Sequence, residues 1–512
     1  MSMKNKIAVL LIVLILLAGA AYAAASARLF RKSPNVIVIL TDDLDNALLP
    51  YLPKTNRLIG EQGATFDNYF IPTPLCCPSR ASMLRGEYAH NTDILENSPG
   101  FPRFFKLKKQ ENTFNVWLYK AGYRTALYGK YLNNYPVNAG RNYVPPGWSD
   151  WGASLGTNYE GDLYYDYTLN ENGVLVEYGS DPEDYSTDVI KNKSLAFLRE
   201  RAADRDPFLL FLSIYAPHGP STPAPRHANL FNDLTRPRSP AIDEEDLSDK
   251  PQIIRALTDS GEDFDEGDAD ALFQNRARSL QAVDELVEAL IQALAQNGQL
   301  ETTYIFFTSD NGFHMGEHGI PPGKGTAYEE DIRVPFMARG PGIAPGSRIS
   351  QMTANIDIAP TIADIAGVPC PDFVDGSSFL PFLHGKSVPW RAGLLIEFGY
   401  ERNENAAKVQ NISLGSEFDL RDPETDNLLV NVYGGGFRGI RGGGFLYLEY
   451  QNGEIEFYDL KADPYQLENL AGRLTPQTLA ALHTKLEALK YCSGQECRIL
   501  ERQLEFDIQF LN

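Results

Sequence analysis

The sequence predicts an α/β protein: a large, mostly parallel sheet between helices, followed by a small antiparallel-sheet subdomain near the C-terminus. Three observations carry this. Four continuous apolar runs between Asn35 and Thr308 each end in a polar residue able to do chemistry. An apolar stripe at helical spacing lies ahead of the last run, and after Trp390 the pattern changes to short strands joined by glycine-rich turns.

The first run, Asn35-Val36-Ile37-Val38-Ile39-Leu40, is β-branched and apolar throughout, as in a strand covered on both faces. It ends in Thr41-Asp42-Asp43. Taken alone, two carboxylates there cap the next helix; at the carboxyl edge of an open sheet, where ligands bind, they also suit a hard divalent cation. The second run, from Tyr123 to Tyr128, leads into Gly129-Lys130. The third, Phe208 to Ile214, leads into Tyr215-Ala216-Pro217-His218, and the fourth, Tyr304 to Thr308, into Ser309-Asp310-Asn311-Gly312. In a parallel sheet all four ends lie on one edge, so these residues converge.

Leu280, Val283, Val287, Leu290, Ile291 and Leu294 form a three-and-four stripe that predicts a helix stopping at Gly298. Residues 229–270 are rich in Asp and Glu and read as an acidic surface insertion able to roof a pocket. Past Trp390, Phe437 to Ile440, Phe445 to Tyr450 and Glu454 to Tyr458 predict an antiparallel meander, and a helix follows from about Thr475 to Lys490. The resulting division is 33–389 for the main domain and 390–512 for the C-terminal subdomain.

At 512 residues, 43% of them hydrophobic, the chain has room for a large core. A net charge of -21 argues against nucleic acid and anionic membrane surfaces, which select basic patches, and restricts any anionic substrate to a local cationic pocket. Residues 1–27 place Lys4 and Lys6 ahead of a long apolar run and small residues, which reads as a secretory signal or an uncleaved N-terminal anchor. Either puts the rest of the chain outside the cytosol. Five cysteines fit an exported protein, and Cys492 and Cys497 are spaced to close a small disulfide loop.

The stretch IPTPLCCPSRASMLRGEYAHN holds two thiols in a proline-bracketed turn before a helix. Cys76 falls near the helix N-terminus, where unpaired amides favour negative charge. Bare, the pair reads as buried thiols or a disulfide half. The run Cys76-x-Pro78-Ser79-Arg80, however, resembles the signature of the sulfatase family. The segments NVIVILTDD, GYRTALYGKYLNNY, YAPHGP, TSDNGFHMGEHG, YEEDIRVPFMARGPG, IDIAPTIADIAG and YDLKADPYQLENL follow in that family's order, from Asn35 to about Gly472. They look most like the branch of N-acetylglucosamine-6-sulfatases and extracellular heparan sulfatases.

The resemblance implies a mixed, mostly parallel sheet of the alkaline phosphatase superfamily and a sulfuric ester hydrolase acting on a 6-O-sulfated amino sugar or related sulfated glycan. It implies that Cys76 is oxidised to formylglycine by dedicated machinery, and that Asp42, Asp43, Asp310 and Asn311 bind one calcium ion. One hydroxyl of the hydrated aldehyde attacks sulfur, and the second then expels sulfate, with Arg80 stabilising the charge that develops. Lys130, His218 and Lys324 match sulfate-contacting positions, with His218 the first choice of general acid. His90, His314 and His318 lie near the same motifs as candidates for the substrate pocket. Two departures stand out. The position two after Lys130, often histidine, is Leu132, so that Asn133 becomes the candidate polar contact; and Leu84-Arg85-Gly86-Glu87 replaces Leu-Thr-Gly-Arg. Two alternatives stay open: a phosphonate or phosphate ester hydrolase of the same superfamily, and a sulfated-glycan-binding protein without turnover.

Overall fold

The structure is a computed structural model that describes residues 33–156, 163–202, 204, 206–258, 266–399 and 436–505. The segment 1–27 read as a signal or anchor lies outside the described residues, as does 259–265 of the acidic stretch. Among the described residues, no helix is long and apolar enough to cross a membrane.

Among the described residues, ten strands form the main sheet: β1 (Asn35–Asp42), β2 (Ala64–Phe66), β4 (Arg124–Gly129), β5 (Asp150–Ser154), β6 (Tyr167–Glu171), β7 (Val174–Tyr178), β8 (Phe208–Pro217), β9 (Thr303–Ser309), β10 (Phe336–Arg339) and β11 (Ser347–Ile349), in the order β11-β2-β10-β9-β1-β8-β4-β5-β6-β7. The centre, β9-β1-β8-β4-β5, is parallel, while β10 and the β6-β7 edge run antiparallel. A two-stranded ribbon pairs β3 (Tyr69–Phe70) with β12 (Thr353–Ala354).

Because side chains alternate along a strand, β1 feeds two cores. Val36, Val38 and Leu40 pack on one face with Phe211, Phe306 and the helix Ile358–Ala366; Ile37 and Ile39 pack on the other with Leu210, Leu212, Phe307 and the helix Glu266–Gln296. That long helix buries the whole stripe from Leu280 to Leu294 and begins within the acidic stretch. Acidic Asp268 and Asp270 in its opening turns complement the positive helix end.

The remainder of that stretch is tied down at several points. His318 N–H donates to the Ala241 carbonyl (2.7 Å), Lys250 Nζ to the Leu467 carbonyl (2.6 Å) and Gln252 N–H to the Glu454 carboxylate (2.9 Å), while Ile253 and Ile254 are buried.

The small sheet has four strands in the order β13 (Gly393–Phe398), β14 (Phe437–Gly442), β15 (Phe445–Tyr450) and β16 (Ile455–Asp459), all antiparallel. The sequence reading of this region lacked β13. The helix Pro476–Leu489 covers the sheet through Leu482, Leu486 and Leu489, and Cys492 and Cys497 form a disulfide. Leu75 and Tyr88, which flank the Cys76 helix, belong to this third core.

A buried ion cluster links the segment ahead of β13 to the turn before the helix Ile358–Ala366 and to the C-terminal helix Gln495–Arg502. Arg391 donates to both oxygens of Asp357, with Nη2 to Oδ1 at 2.7 Å, and its Nε donates to Glu501 Oε2 at 2.9 Å. Burial pushes the Glu501 carboxyl up to about 7, against the pull of Arg391 and the Tyr88 hydroxyl. The folded chain thus holds a proton that the unfolded chain has released, so stability present below the ordinary glutamate range is lost as pH rises through about 7. Stability is expected to decline between roughly pH 4.5 and 7 by up to about 1.4 kcal/mol per pH unit from this group. Thermal melts across that window check it, and the Glu501→Gln variant should remove this part of the slope.

Candidate active site

The carboxyl ends of β1, β8, β4 and β9 bring the predicted residues together. Asp42 closes β1, and Asp43 turns the chain off the sheet with φ 65°. Gly129 ends β4 with φ 109°, where a Cβ would meet the Ser213 carbonyl at 1.9 Å; only glycine allows this approach, and Lys130 N–H then donates to that carbonyl at 2.9 Å. Gly312 is constrained in the same way, since a Cβ there would lie 1.9 Å from the Glu330 carbonyl. The helix Cys76–Arg85 starts at Cys76 with Leu75 as its N-cap residue, so Cys76 sits in the first turn, aimed at the sheet edge.

Every predicted member of the site is buried. Lys324 Nζ donates to Cys76 Sγ at 2.9 Å and to Asp43 Oδ1 at 2.8 Å. Cys76 Sγ lies 3.5 Å from Asp42 Oδ1, and Lys130 Nζ pairs with Asp42 Oδ2 at 2.7 Å. Arg80 spans the floor: Nε donates to Asp310 Oδ2 (2.7 Å), Nη2 to Asp42 Oδ2 (2.9 Å), and Nη1 to Ser213 Oγ (2.6 Å) and the Lys130 carbonyl (3.1 Å). His218 Nε2 stands 3.7 Å from Asp43 Oδ2, and its Nδ1 is 2.9 Å from the Gly219 carbonyl. A carbonyl only accepts, so Nδ1 carries a proton and Nε2 is the nitrogen turned to the site.

Three carboxylates thus face the Arg80 guanidinium and the amino groups of Lys130 and Lys324. Burial alone would push the Asp42 carboxyl up, yet Lys130, His218, Arg80 and Lys324 together hold it well below the ordinary range. Asp43 is likewise depressed, with Lys324 and His218 outweighing burial and Asp42. Asp310 is raised by burial and by Asp42, against Arg80. The Cys76 thiol is pushed far up by burial and Asp42, against Lys130 and Lys324.

Ligand atoms of Asp42, Asp43, Cys76 and His218 lie within 4.8 Å of one another, a group that could hold a metal ion. Asn311 adds an amide: its Nδ2 donates to Asp43 Oδ1 at 2.6 Å, and its buried Oδ1 has no hydrogen-bond partner among the described residues. Both amide atoms of Asn133 are also buried, without a hydrogen-bond partner among the described residues.

Sequence reasoning missed the supporting residues. Ser213 interrupts an apolar strand to meet Arg80. Ser79 donates to the Asp310 carbonyl and is itself held by Asn355 Nδ2 at 2.9 Å. Ser79 is inside the Cys76-x-Pro78-Ser79-Arg80 run and was available as a signal; a polar residue in mid-strand was the only trace of Ser213. Of the three candidate pocket histidines, His90 bonds Glu397 (2.9 Å) and the Cys492 carbonyl (3.0 Å), His314 bonds Asp331 and the Pro321 carbonyl (each 3.0 Å), and His318 bonds Glu244 (2.6 Å). These bonds tie all three into the protein framework.

A family model described as Sulfatase matches residues 34–368. The N-acetylglucosamine-6-sulfatase of Capra hircus is 39% identical over 485 residues, spanning 91% of this chain and 85% of its own. A solved structure of a protein in complex with its substrate D-glucosamine-2-N,6-O-disulfate superposes with a TM-score of 0.72 at 25% identity, covering 93% of this chain and all of the other. The phosphonate monoester hydrolase of Agrobacterium radiobacter shares the fold, with a TM-score of 0.65 at 22% identity over 89% of this chain and 94% of its own. The architecture is alkaline-phosphatase-like, and the chain belongs to the sulfatase family of hydrolases.

Proposed function

We propose that the protein hydrolyses a sulfate ester at the 6-position of N-acetylglucosamine or a related sulfated sugar, with residue 76 as nucleophile. The observation that carries this reading is the placement of Cys76 Sγ between Lys324 Nζ and Asp42 Oδ1, in a buried cluster at one sheet edge. The sugar and its position rest on similarity to the glucosamine-6-sulfatases and to the structure bound to a 6-O-sulfated glucosamine. The disulfide between Cys492 and Cys497 supports an exported location.

The formylglycine expected from Cys76 supplies, once hydrated, one hydroxyl to attack sulfur and a second to expel sulfate. The oxygen donors suit calcium: Asp42 and Asp43 belong to the group able to hold an ion, and the Asn311 Oδ1, without a hydrogen-bond partner among the described residues, lies beside Asp43, with Asp310 next to it in sequence; a dication held there would supply Lewis-acid polarisation. With such an ion the site becomes net positive, as an anionic ester requires.

The chain's own groups do the rest. Arg80 holds Asp42 and Asp310 apart and in place. Lys130 and Lys324 offer charge to the sulfuryl oxygens, and Lys324 also reaches residue 76. Asn133 offers its buried amide to the substrate. His218, anchored through Nδ1, turns Nε2 toward the site as the proton donor to the leaving oxygen.

The test is sulfate release from N-acetylglucosamine 6-sulfate, set beside an aryl sulfate and a phosphonate monoester. Turnover of the sugar is expected. Turnover of the aryl ester alone would remove the sugar assignment, preferential phosphonate cleavage would favour the alternative ester class, and binding without release would favour a lectin-like role. Calcium removal by a chelator is expected to abolish turnover and lower Tm, because saturating calcium at a hundredfold over its Kd contributes about 2.7 kcal/mol. Calorimetry with and without chelator checks this; an unchanged Tm and rate would exclude calcium from the site.

A further inference from the structure

Among the described residues, Lys324 is the one cation of the site carried neither by a strand end nor by the Cys76 helix. It hangs on the loop between Asn311 and the turn Glu329–Ile332, a loop containing Gly316, His318, Gly319 and Gly325, all at positive φ. Such a segment needs an explicit brace to keep an ammonium 2.9 Å from Cys76 Sγ.

The brace is built on His314. The loop doubles back on itself in a single antiparallel bridge, with His314 N–H donating to the Gly323 carbonyl at 2.9 Å and Gly323 N–H returning to the His314 carbonyl at 3.1 Å. The His314 ring itself is buried. Its Nδ1 lies 3.0 Å from both oxygens of Asp331, and its Nε2 lies 3.0 Å from the Pro321 carbonyl. Asp331 Oδ2 also accepts from Thr326 N–H (2.8 Å) and Thr326 Oγ (2.7 Å). The histidine and its carboxylate therefore grip the chain at Pro321 and Gly323 on one side of Lys324 and at Thr326 on the other. A carboxylate and a carbonyl both call for a proton from the ring, which satisfies both only as an imidazolium. Burial alone would lower its pKa, but Asp331, Glu317 and the Pro321 carbonyl raise it; His318 is a further titratable neighbour.

We propose that His314 is a positioning residue for turnover: bonded at both ring nitrogens, it fixes the loop that delivers Lys324 to residue 76 and Asp43. This rests on the reading of Lys324 as a sulfate-contacting residue. In the calcium-loaded, formylglycine-bearing enzyme assayed with 4-nitrophenyl sulfate, His314→Ala and His314→Asn are each expected to lower kcat about tenfold or more, with KM moved less. In a Lys324→Met background the same changes should lower kcat no further, since both act through one ammonium. Additive losses, or wild-type kcat in both His314 variants, would overturn the proposal. If Lys324→Met alone leaves kcat intact, the reading of Lys324 fails instead, and the proposal falls with it. A crystal structure of the His314→Ala enzyme tests the placement without recourse to activity: Lys324 Nζ should have left residue 76 and Asp43, and its retention there would refute the proposal. Should His314→Ala not fold, the His314→Asn enzyme takes its place in both experiments.

Discussion

The Cys76→Ser variant is expected to release about one equivalent of alcohol per chain and then stop, with one sulfo group retained on residue 76. Three observations lead there. The side chain at position 76 is fully buried in the first turn of its helix and meets Lys324 Nζ and Asp42 Oδ1, so a hydroxyl of similar size falls among the same groups. A single hydroxyl can attack sulfur but has no second hydroxyl with which to expel sulfate. The unconverted thiol is no substitute either, because burial and Asp42 push its pKa far up and keep it protonated, and a thiolate is the reactive form. Activity should therefore scale with the fraction of chains carrying the aldehyde at residue 76, read as the mass of the proteolytic peptide ending at Arg80. Steady turnover by the serine variant, or full activity from chains that all retain the thiol, would exclude the proposed nucleophile.

What could be read in the sequence is what is encoded locally. β1, β4, β8 and β9 announce themselves as continuous apolar runs, and Asp42, Asp43, Lys130, His218, Asp310 and Asn311 each follow such a run within a few residues. Parallel pairing then forces them to one edge, so their convergence needed no knowledge of contacts. Lys324 carries no local mark; only the resemblance pointed to it, because a lysine in a glycine- and proline-rich loop looks like any exposed one until the His314–Asp331 grip is seen. Asn355 was invisible for the same reason and Ser213 showed only as a polar residue in mid-strand, since each acts on a partner more than a hundred residues away. β13 escaped because Leu394-Leu395-Ile396 is a short apolar run whose partner in the described structure begins only at Phe437. His90 looked like a pocket residue by its nearness to Cys76 in sequence, yet its ring belongs to the contact with the C-terminal sheet and disulfide loop.

The second large effect concerns Arg80, whose replacement is expected to abolish turnover and weaken the fold together. The guanidinium is almost completely buried and its planar fork serves Asp310, Asp42, Ser213 and the Lys130 carbonyl at once. Asp42 and Asp310 raise its pKa against the effect of burial, so its charge persists at any working pH. Removing it in Arg80→Met takes from Asp310, already raised by burial, the guanidinium bonded to it, and leaves Lys130 and Lys324 to balance the three carboxylates. Breaking a buried pair in this way costs about 3–5 kcal/mol. The Arg80→Lys variant separates charge from geometry. An ammonium keeps the positive charge but is a single point that cannot lie along both Asp310 Oδ2 and Asp42 Oδ2 while also meeting Ser213. Arg80→Lys should therefore recover part of the stability lost in Arg80→Met, by denaturant unfolding, while kcat stays about a hundredfold or more below wild type, as when a preorganised donor is removed. Near-wild-type turnover in Arg80→Lys would mean that the site needs only a cation at that depth, and that the two carboxylates are placed by something other than the arginine fork.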